Sequence, residues 1–438
     1  MNIFQNDRKI GFSHSRFSKK DSGYRLQETV YMRINTMGMV QDISLKTDGE
    51  LQADFTLADF NFEINSGRFS FSIKGTVSGD ILKVETASAG DRRALEIQIE
   101  KQPYLFSGII YALAATKLNP GDKFAFPIFD PASMAQLPVH VEVIGQEEIQ
   151  IMGTKTAATI VSLNFKGSTQ LAWVDQNGDL LKEKGLLGIR QERTTRKDAL
   201  YGLALASSQD LTQTASVSSN VTLENPDRLE HLTIEISGIE FDQLHLQGGR
   251  QKFKNNQLII VKESLSNLVA ELDDTNMGSL EKVFLQPSSF IQSDHQKIQQ
   301  LTRQILGNHA NAAPLEKVQK LLNWVYHNIE KRPVLSLPDA LSTLENRVGD
   351  CNEHAVLLAA LSRAAGIPCR VEAGLVYLKG SFYYHAWNLV YLGRWITADA
   401  LFGQLPADVS HVRFTSGSQR QQLDLMGIIG KIQLRIIE

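Results

Sequence analysis

Arg347-Val-Gly-Asp-Cys-Asn-Glu-His-Ala-Val-Leu-Leu-Ala-Ala-Leu-Ser-Arg-Ala-Ala-Gly-Ile-Pro-Cys-Arg-Val371 decides how the C-terminal part of this chain folds. Gly349 and Asp350 break the preceding structure, and Cys351 opens an apolar run that Gly366 and Pro368 stop. The run has the length of a helix, and Asp350 suits its N-cap. A thiol in the first turn faces unpaired backbone N–H groups and the positive end of the helix dipole, and both favour thiolate. A lowered thiol pKa at Cys351 is the expectation.

The segments that follow read as strands: about Arg370 to Leu378, a strand carrying His385 in Tyr384-His-Ala-Trp387, and about Arg394 to Ala398, ending at Asp399. The spacing 399 − 385 = 14 fits two neighbouring antiparallel strands joined by a turn at Gly393. Such strands lie about 4.8 Å apart, so side chains on one face meet. Cysteine, histidine and aspartate in this order are the parts of an acyl-transfer site. The histidine takes the thiol proton, the aspartate fixes the imidazole tautomer, and a backbone N–H at the helix start is a natural first oxyanion donor.

These pieces together resemble the transglutaminase-like superfamily of papain-related folds. The matching residues are Gly349-Asp-Cys-Asn-Glu-His-Ala355, Ala364-Ala-Gly-Ile-Pro368, His385-Ala-Trp387 and Trp395-Ile-Thr-Ala-Asp399, within about 130–150 C-terminal residues. The resemblance implies Cys351 as nucleophile, His385 as base and Asp399 as its orienter. Bacterial members often carry Asp-Pro where this chain has Asp399-Ala400. Around the three, Asp350 reads as a helix cap and His354 as a hydrogen-bonded supporting residue, while Trp387 and Trp395 read as core aromatics or groove walls. Cys351, His354, His385 and Asp399 are also a conceivable metal set, but the thiol is explained without one, so no metal and no cofactor are expected.

Upstream, Ser293 reads as the cap of a helix carrying Ile298, Leu301 and Ile305. Pro314 opens a second helix with Leu315, Val318, Leu322, Val325 and Ile329 at helical spacing, and a short helix runs from about Pro338 to Arg347. Before residue 200 the period is two: Phe69, Phe71 and Ile73, then Leu82 and Val84, then Val139, Val141 and Val143 alternate with polar residues. Asn177-Gly178 marks a hairpin in which both turn residues need positive φ. A helix over Tyr104–Leu118 should pack on the resulting sheet. Leu232, Ile234 and Ile236 begin a second β segment, with Asn255-Asn256 as its turn.

The expected architecture is multidomain: an N-terminal antiparallel β domain (1–210), a small β module or linker domain (211–290), and an α+β transglutaminase-like domain (291–438). With 42% hydrophobic and 21% charged residues and a formal net charge of −3, no basic block points to nucleic acid. No stretch has the length of a membrane span, and no basic-then-apolar leader opens the sequence. Cys351 and Cys369 lie at opposite ends of the helix, roughly 20 Å apart at about 1.5 Å per residue, too far for a disulfide.

Lys9-Ile-Gly-Phe-Ser-His14 and Trp173-Val-Asp-Gln-Asn-Gly178 look like the β region of some bacterial envelope proteins, which implies an envelope or periplasmic parent whose leader is missing. A cytoplasmic location stays open. The expected activity is cysteine-dependent acyl transfer on a protein or peptide amide, a cell-wall peptide included, ending in transamidation or hydrolysis. The alternative is a catalytically silent fold serving in envelope binding or assembly.

Overall fold

A computed structural model of the 438-residue chain describes all residues except 204–207, 243, 267, 270–271, 273–276, 336 and 418–422. It divides into two compact units, Met1–Thr214 and Ala215–Glu438.

Period-two alternation builds the first unit. Phe69, Phe71 and Ile73 are buried while Ser70 and Lys74 are exposed, which gives the sheet one dry face there. Fourteen antiparallel strands form one sheet. Asn2–Gln5 lies in its middle, paired with Arg8–Lys20 on one edge and with Ile189–Glu192 on the other, so the sheet's first and last strands in chain order are neighbours.

The helix expected over Tyr104–Leu118 is shorter, a 3-10 turn at Phe106–Gly108 followed by Ile109–Ala114. Thr116 Oγ1 donates to the Leu113 carbonyl just past its end, a side-chain bond that competes with further helix. Ile109, Ile110 and Leu113 pack into a cluster with Val139, Val141, Val143 and Val161.

The hairpin at Asn177-Gly178 forms between Ser168–Val174 and Leu180–Lys184, but with a different turn. Gly178 has φ +83°, whereas Asn177 does not enter the positive region. Asp175 Oδ1 accepts from the Asn177 and Asp179 N–H groups at 2.8 and 2.9 Å, and this side-chain turn replaces the tighter one. At Asn255-Asn256 both residues do take positive φ, 52° and 63°, as a two-residue turn between Gln251–Lys254 and Gln257–Val261 demands.

Glu183 lies among these strands, and burial with the neighbouring Glu28 charge pushes its carboxyl up to about 7. A carboxyl raised in the folded state stabilises the fold at low pH and loses that contribution as pH climbs from the ordinary carboxyl value through about 7. The first unit should therefore lose on the order of 2 kcal/mol between pH 4.5 and 7.5, after discounting for the partial exposure of Glu183. Glu183→Gln should flatten that slope in thermal unfolding followed across this range.

The second unit does not break near residue 290. His231–Ser237 pairs with Gln257–Val261 on one side and with Gln433–Ile436, near the end of the chain, on the other. The segment expected as a separate module thus shares a sheet with the C-terminus. Val217–Ser218 likewise joins the strand Ser381–Tyr391.

Among the described residues, a short helix at Ser279–Val283 is followed by four longer ones: Gln296–Leu306, Pro314–Asn328, Ala340–Asn346 and Cys351–Ala364. The first of the four is capped by His295, whose Nδ1 accepts from the Lys297 N–H at 3.2 Å, and not by Ser293. The cysteine helix is the centre of the core. Leu357, Leu358, Ala359, Ala360 and Leu361 are all fully buried, because other helices cover one side of it and a sheet the other.

That sheet runs Val217–Ser218, Ser381–Tyr391, Cys369–Leu378, His411–Gly417, with Trp395–Ala398 also paired to Ser381–Tyr391. Asn388 Nδ2 donates to the Ala355 carbonyl at 2.9 Å, tying the histidine strand to the cysteine helix. Among the described residues, no helix is long and apolar enough to cross a membrane.

Candidate active site

Cys351 is the first residue of its helix, and Asp350 is the N-cap. The Asp350 carboxylate accepts from the Asn352 N–H at 2.9 Å, and Glu353 reaches back to the Asp350 N–H at 3.0 Å, a capping box. Gly349 is required here, since a Cβ at that position would lie 2.2 Å from the Glu353 Cβ. Cys351 is half-buried, and the Ala386 backbone N–H acts to lower its thiol pKa against burial. The strand that carries His385 therefore passes directly beside the start of the helix.

His385 and Asp399 meet as antiparallel register dictates. Asn388 pairs with Ala398, and the next residue, Asp399, comes onto the histidine face. His385 Nε2 lies 2.7 Å from Asp399 Oδ2, with both side chains buried. An ionised carboxylate only accepts, so Nε2 carries the proton and Nδ1 is left as the basic nitrogen. Phe402 stacks on the imidazole, centroids 5.0 Å apart and planes at 16°.

Asp399 accepts from two further backbone groups, Leu401 and Phe402 N–H, at 2.7 and 3.0 Å through Oδ1. Burial works to raise its carboxyl, but the charges and hydrogen bonds of His385 and His411 outweigh it and hold Asp399 well below the usual carboxylate range.

His411 is a residue the sequence did not offer. Its Nε2 lies 2.9 Å from the same Asp399 Oδ2, and its Nδ1 lies 3.2 Å from Asp408 Oδ1. With a carboxylate at each nitrogen the ring is best served by two protons. Burial opposes the charge, yet the bonds to Asp399 and Asp408 raise the His411 pKa. His411 follows an irregular stretch after Asp399 and carries no local signal, because its contact is purely tertiary.

The match to known families covers Cys351, His385 and Asp399 and ends before His411. Residues 299–400 fit the model of the transglutaminase-like superfamily. This segment is a transglutaminase-like domain. Comparison with curated proteins gives no match.

Among solved structures, the chain is similar to a "putative cysteine protease" from Cytophaga hutchinsonii, with 20% identity, 47% of this chain and 83% of that one covered, and a TM-score of 0.33. It is similar to a β-barrel-like protein from Brucella abortus, with 13% identity, 41% and 83% covered, and a TM-score of 0.32. It is also similar to the periplasmic domain of TgpA from Pseudomonas aeruginosa, with 16% identity, 66% and 95% covered, and a TM-score of 0.26. Likenesses this low carry no functional weight.

Within the transglutaminase-like domain, the lowered thiol expected from the helix start is overturned. Burial first, then the charges of Asp350, Glu353 and Asp399, push the Cys351 thiol well above its ordinary value, against the lowering effect of the Ala386 N–H. The carboxylate that caps the helix also offsets its positive field at the sulfur. Both effects favour the protonated sulfur. Cys369 is free and fully buried, pushed up to about 12 chiefly by burial.

His354 turns into the helix, its Nδ1 2.7 Å from the Asp350 carbonyl, and burial lowers its pKa. It is a neutral ring that fixes the cap. Trp387 is buried beside the site, 6.0 Å from His385 between ring centroids and 5.2 Å from His411, and its indole donates to Glu372 at 3.0 Å. Trp395 stands apart, packed against Phe284, Tyr391 and Arg370.

Among the described residues, the ligand atoms that converge are those of His385, Asp399 and His411, without Cys351 or His354. Their 2.7 and 2.9 Å separations are hydrogen-bond distances, and both ring nitrogens would have to lose their protons to bind a metal.

His411 holds Asp399 in place and shares its charge. His411→Ala should lower turnover by about tenfold with KM little changed, and His411→Gln, which keeps a donor for Asp399, should recover most of that loss. Steady-state kinetics of the two variants measures the difference.

Proposed function

We propose that this protein is a cysteine-dependent acyl-transfer enzyme acting on protein or peptide amides through a Cys351 thioester. The observation that carries the reading is the buried His385–Asp399 bond of 2.7 Å on the strand whose next residue, Ala386, acts through its N–H on the Cys351 thiol. That arrangement supplies a nucleophile, a base with a fixed tautomer, and an orienting carboxylate.

The neutral resting thiol sets the order of events. His385 Nδ1 takes the Cys351 proton as sulfur attacks the amide carbonyl, so thiolate does not accumulate beforehand. Oxyanion charge then develops on the carbonyl oxygen beside the first turn of the cysteine helix, where backbone N–H groups lack helical partners. Collapse breaks the C–N bond, and the imidazolium gives its proton to the departing amine or ammonia. An incoming amine or water, deprotonated by His385, releases the acyl group and restores the thiol. Asp399 keeps Nε2 protonated throughout.

A bacterial envelope location accompanies this reading, and fractionation of expressing cells tests it. The activity is tested with glutamine-containing peptides, with and without a primary amine, scoring ammonia release and amine incorporation. Incorporation identifies transamidation, and release without incorporation identifies hydrolysis. If neither occurs and Cys351 resists every acyl donor, the fold serves as a silent binding or assembly module.

A further inference from the structure

A second cavity of about 550 Å³ lies in the Ala215–Glu438 unit, and neither Cys351, His385 nor Asp399 lines it. Three arginines do, Arg250, Arg370 and Arg413, against two carboxylates, Glu263 and Glu372. The charges pair unequally. Arg413 Nη1 lies 3.3 Å from Glu372 Oε1, and Arg250 Nη1 lies 3.9 Å from Glu263 Oε2. Arg413 also donates to the His245 and Gly248 carbonyls, and Arg250 to those of Ala407 and His411.

Both acids are otherwise engaged. The second Glu372 oxygen accepts the Trp387 indole, and Glu263 accepts the backbone N–H and hydroxyl of Thr397.

Arg370 is left over. Among the described residues no carboxylate lies within ion-pair distance of it, and its Nε is buried without a hydrogen-bond partner. Its guanidinium lies over Trp395 at 4.6 Å and Phe284 at 5.5 Å. A buried, unpaired guanidinium N–H is costly, and a guanidinium over an aromatic ring can still offer the other N–H groups of its fork to a planar acceptor. Trp395, Phe284 and Leu389 give the cavity apolar wall, and exposed His245, Gln247 and Gly249 also line it. Apolar walls with a few convergent charged groups are the makeup of a small-molecule site.

We propose that this cavity binds a small organic carboxylate, its anion on Arg370 and its apolar body against Trp395 and Phe284. The site is independent of the acyl-transfer reading.

The test is calorimetric titration of the whole chain with benzoate, N-acetylphenylalanine and hexanoate, each paired with its uncharged amide, and with inorganic phosphate. At least one carboxylate should bind saturably, and its amide at least tenfold more weakly. Arg370→Met should weaken that carboxylate by tenfold or more, while Arg370→Lys retains part of the affinity. Arg370 holds no ion pair in the fold, so neither variant should unfold far below the wild-type temperature, which thermal unfolding checks. Equal binding of acid and amide, unchanged affinity in Arg370→Met, response to phosphate alone, or no binding by any carboxylate would overturn the proposal.

Discussion

Replacing Cys351 with alanine should abolish acyl transfer, with turnover falling by about 10⁴–10⁶-fold, while the domain folds as before. The size of the loss follows from the chemistry: without the sulfur there is no covalent step, and the remaining groups act only on a bound amide and water. The structure explains why folding should survive. Cys351 is half-buried at the helix start, and the bonds that define that end belong to Asp350, Asn352 and Glu353. The change in stability should stay within about 1 kcal/mol, as measured by denaturant unfolding. Cys351→Ser should be almost as inactive, since a hydroxyl is a poorer nucleophile than a thiol under the same base.

The second large effect is expected at Asp399. Asp399→Asn keeps the shape of the side chain and can still accept from the Leu401 and Phe402 N–H groups. It places an amide where His385 Nε2 and His411 Nε2 both donate. If the amide NH₂ faces the ring, His385 must hold its proton on Nδ1, the wrong nitrogen for accepting one from Cys351. Turnover should fall by about 10³–10⁴-fold. Asp399→Ala should also be unstable, by about 3–5 kcal/mol, because it leaves the buried His411 charge and two backbone donors without their acceptor.

Asp399 and Asp408 are both held below the ordinary carboxylate range. Groups with depressed pKa values stabilise the fold above their unfolded values and lose that contribution as pH falls. Unfolding of the Ala215–Glu438 unit should therefore become easier in acid, the opposite of the response at Glu183. Calorimetry from pH 3 to 8 separates the two trends.

Much of this site could be read along the chain because its signals are local. Gly349, Asp350 and the stop at Gly366 and Pro368 mark a helix start and end wherever they occur, and the fourteen-residue step from His385 to Asp399 follows from two strands and the turn at Gly393. What escaped depends on contacts between distant segments. His411 meets Asp399 only after an irregular connection. The three arginines of the second cavity come from separate parts of the unit. The join between His231–Ser237 and Gln433–Ile436 erases a boundary that the change from strand to helical spacing suggests. The Cys351 thiol departs from the helix-end expectation for a physical reason. Helix-end electrostatics favours thiolate, but burial and the capping carboxylate beside Cys351 act more strongly in the other direction.

The claim that Cys351 is a nucleophile driven by His385 is tested most directly by acetylation with p-nitrophenyl acetate, a small acyl donor that requires no knowledge of the natural substrate. Nitrophenolate release is followed in the wild type, Cys351→Ala and His385→Ala, and the acetyl group is mapped by mass spectrometry. The account predicts a rapid burst of one nitrophenolate per chain with acetyl on Cys351, none on buried Cys369, no burst in Cys351→Ala, and a burst slowed by about 10²–10⁴-fold in His385→Ala. Acetylation scattered over lysines with Cys351 untouched, or a burst of the same rate without His385, would contradict it.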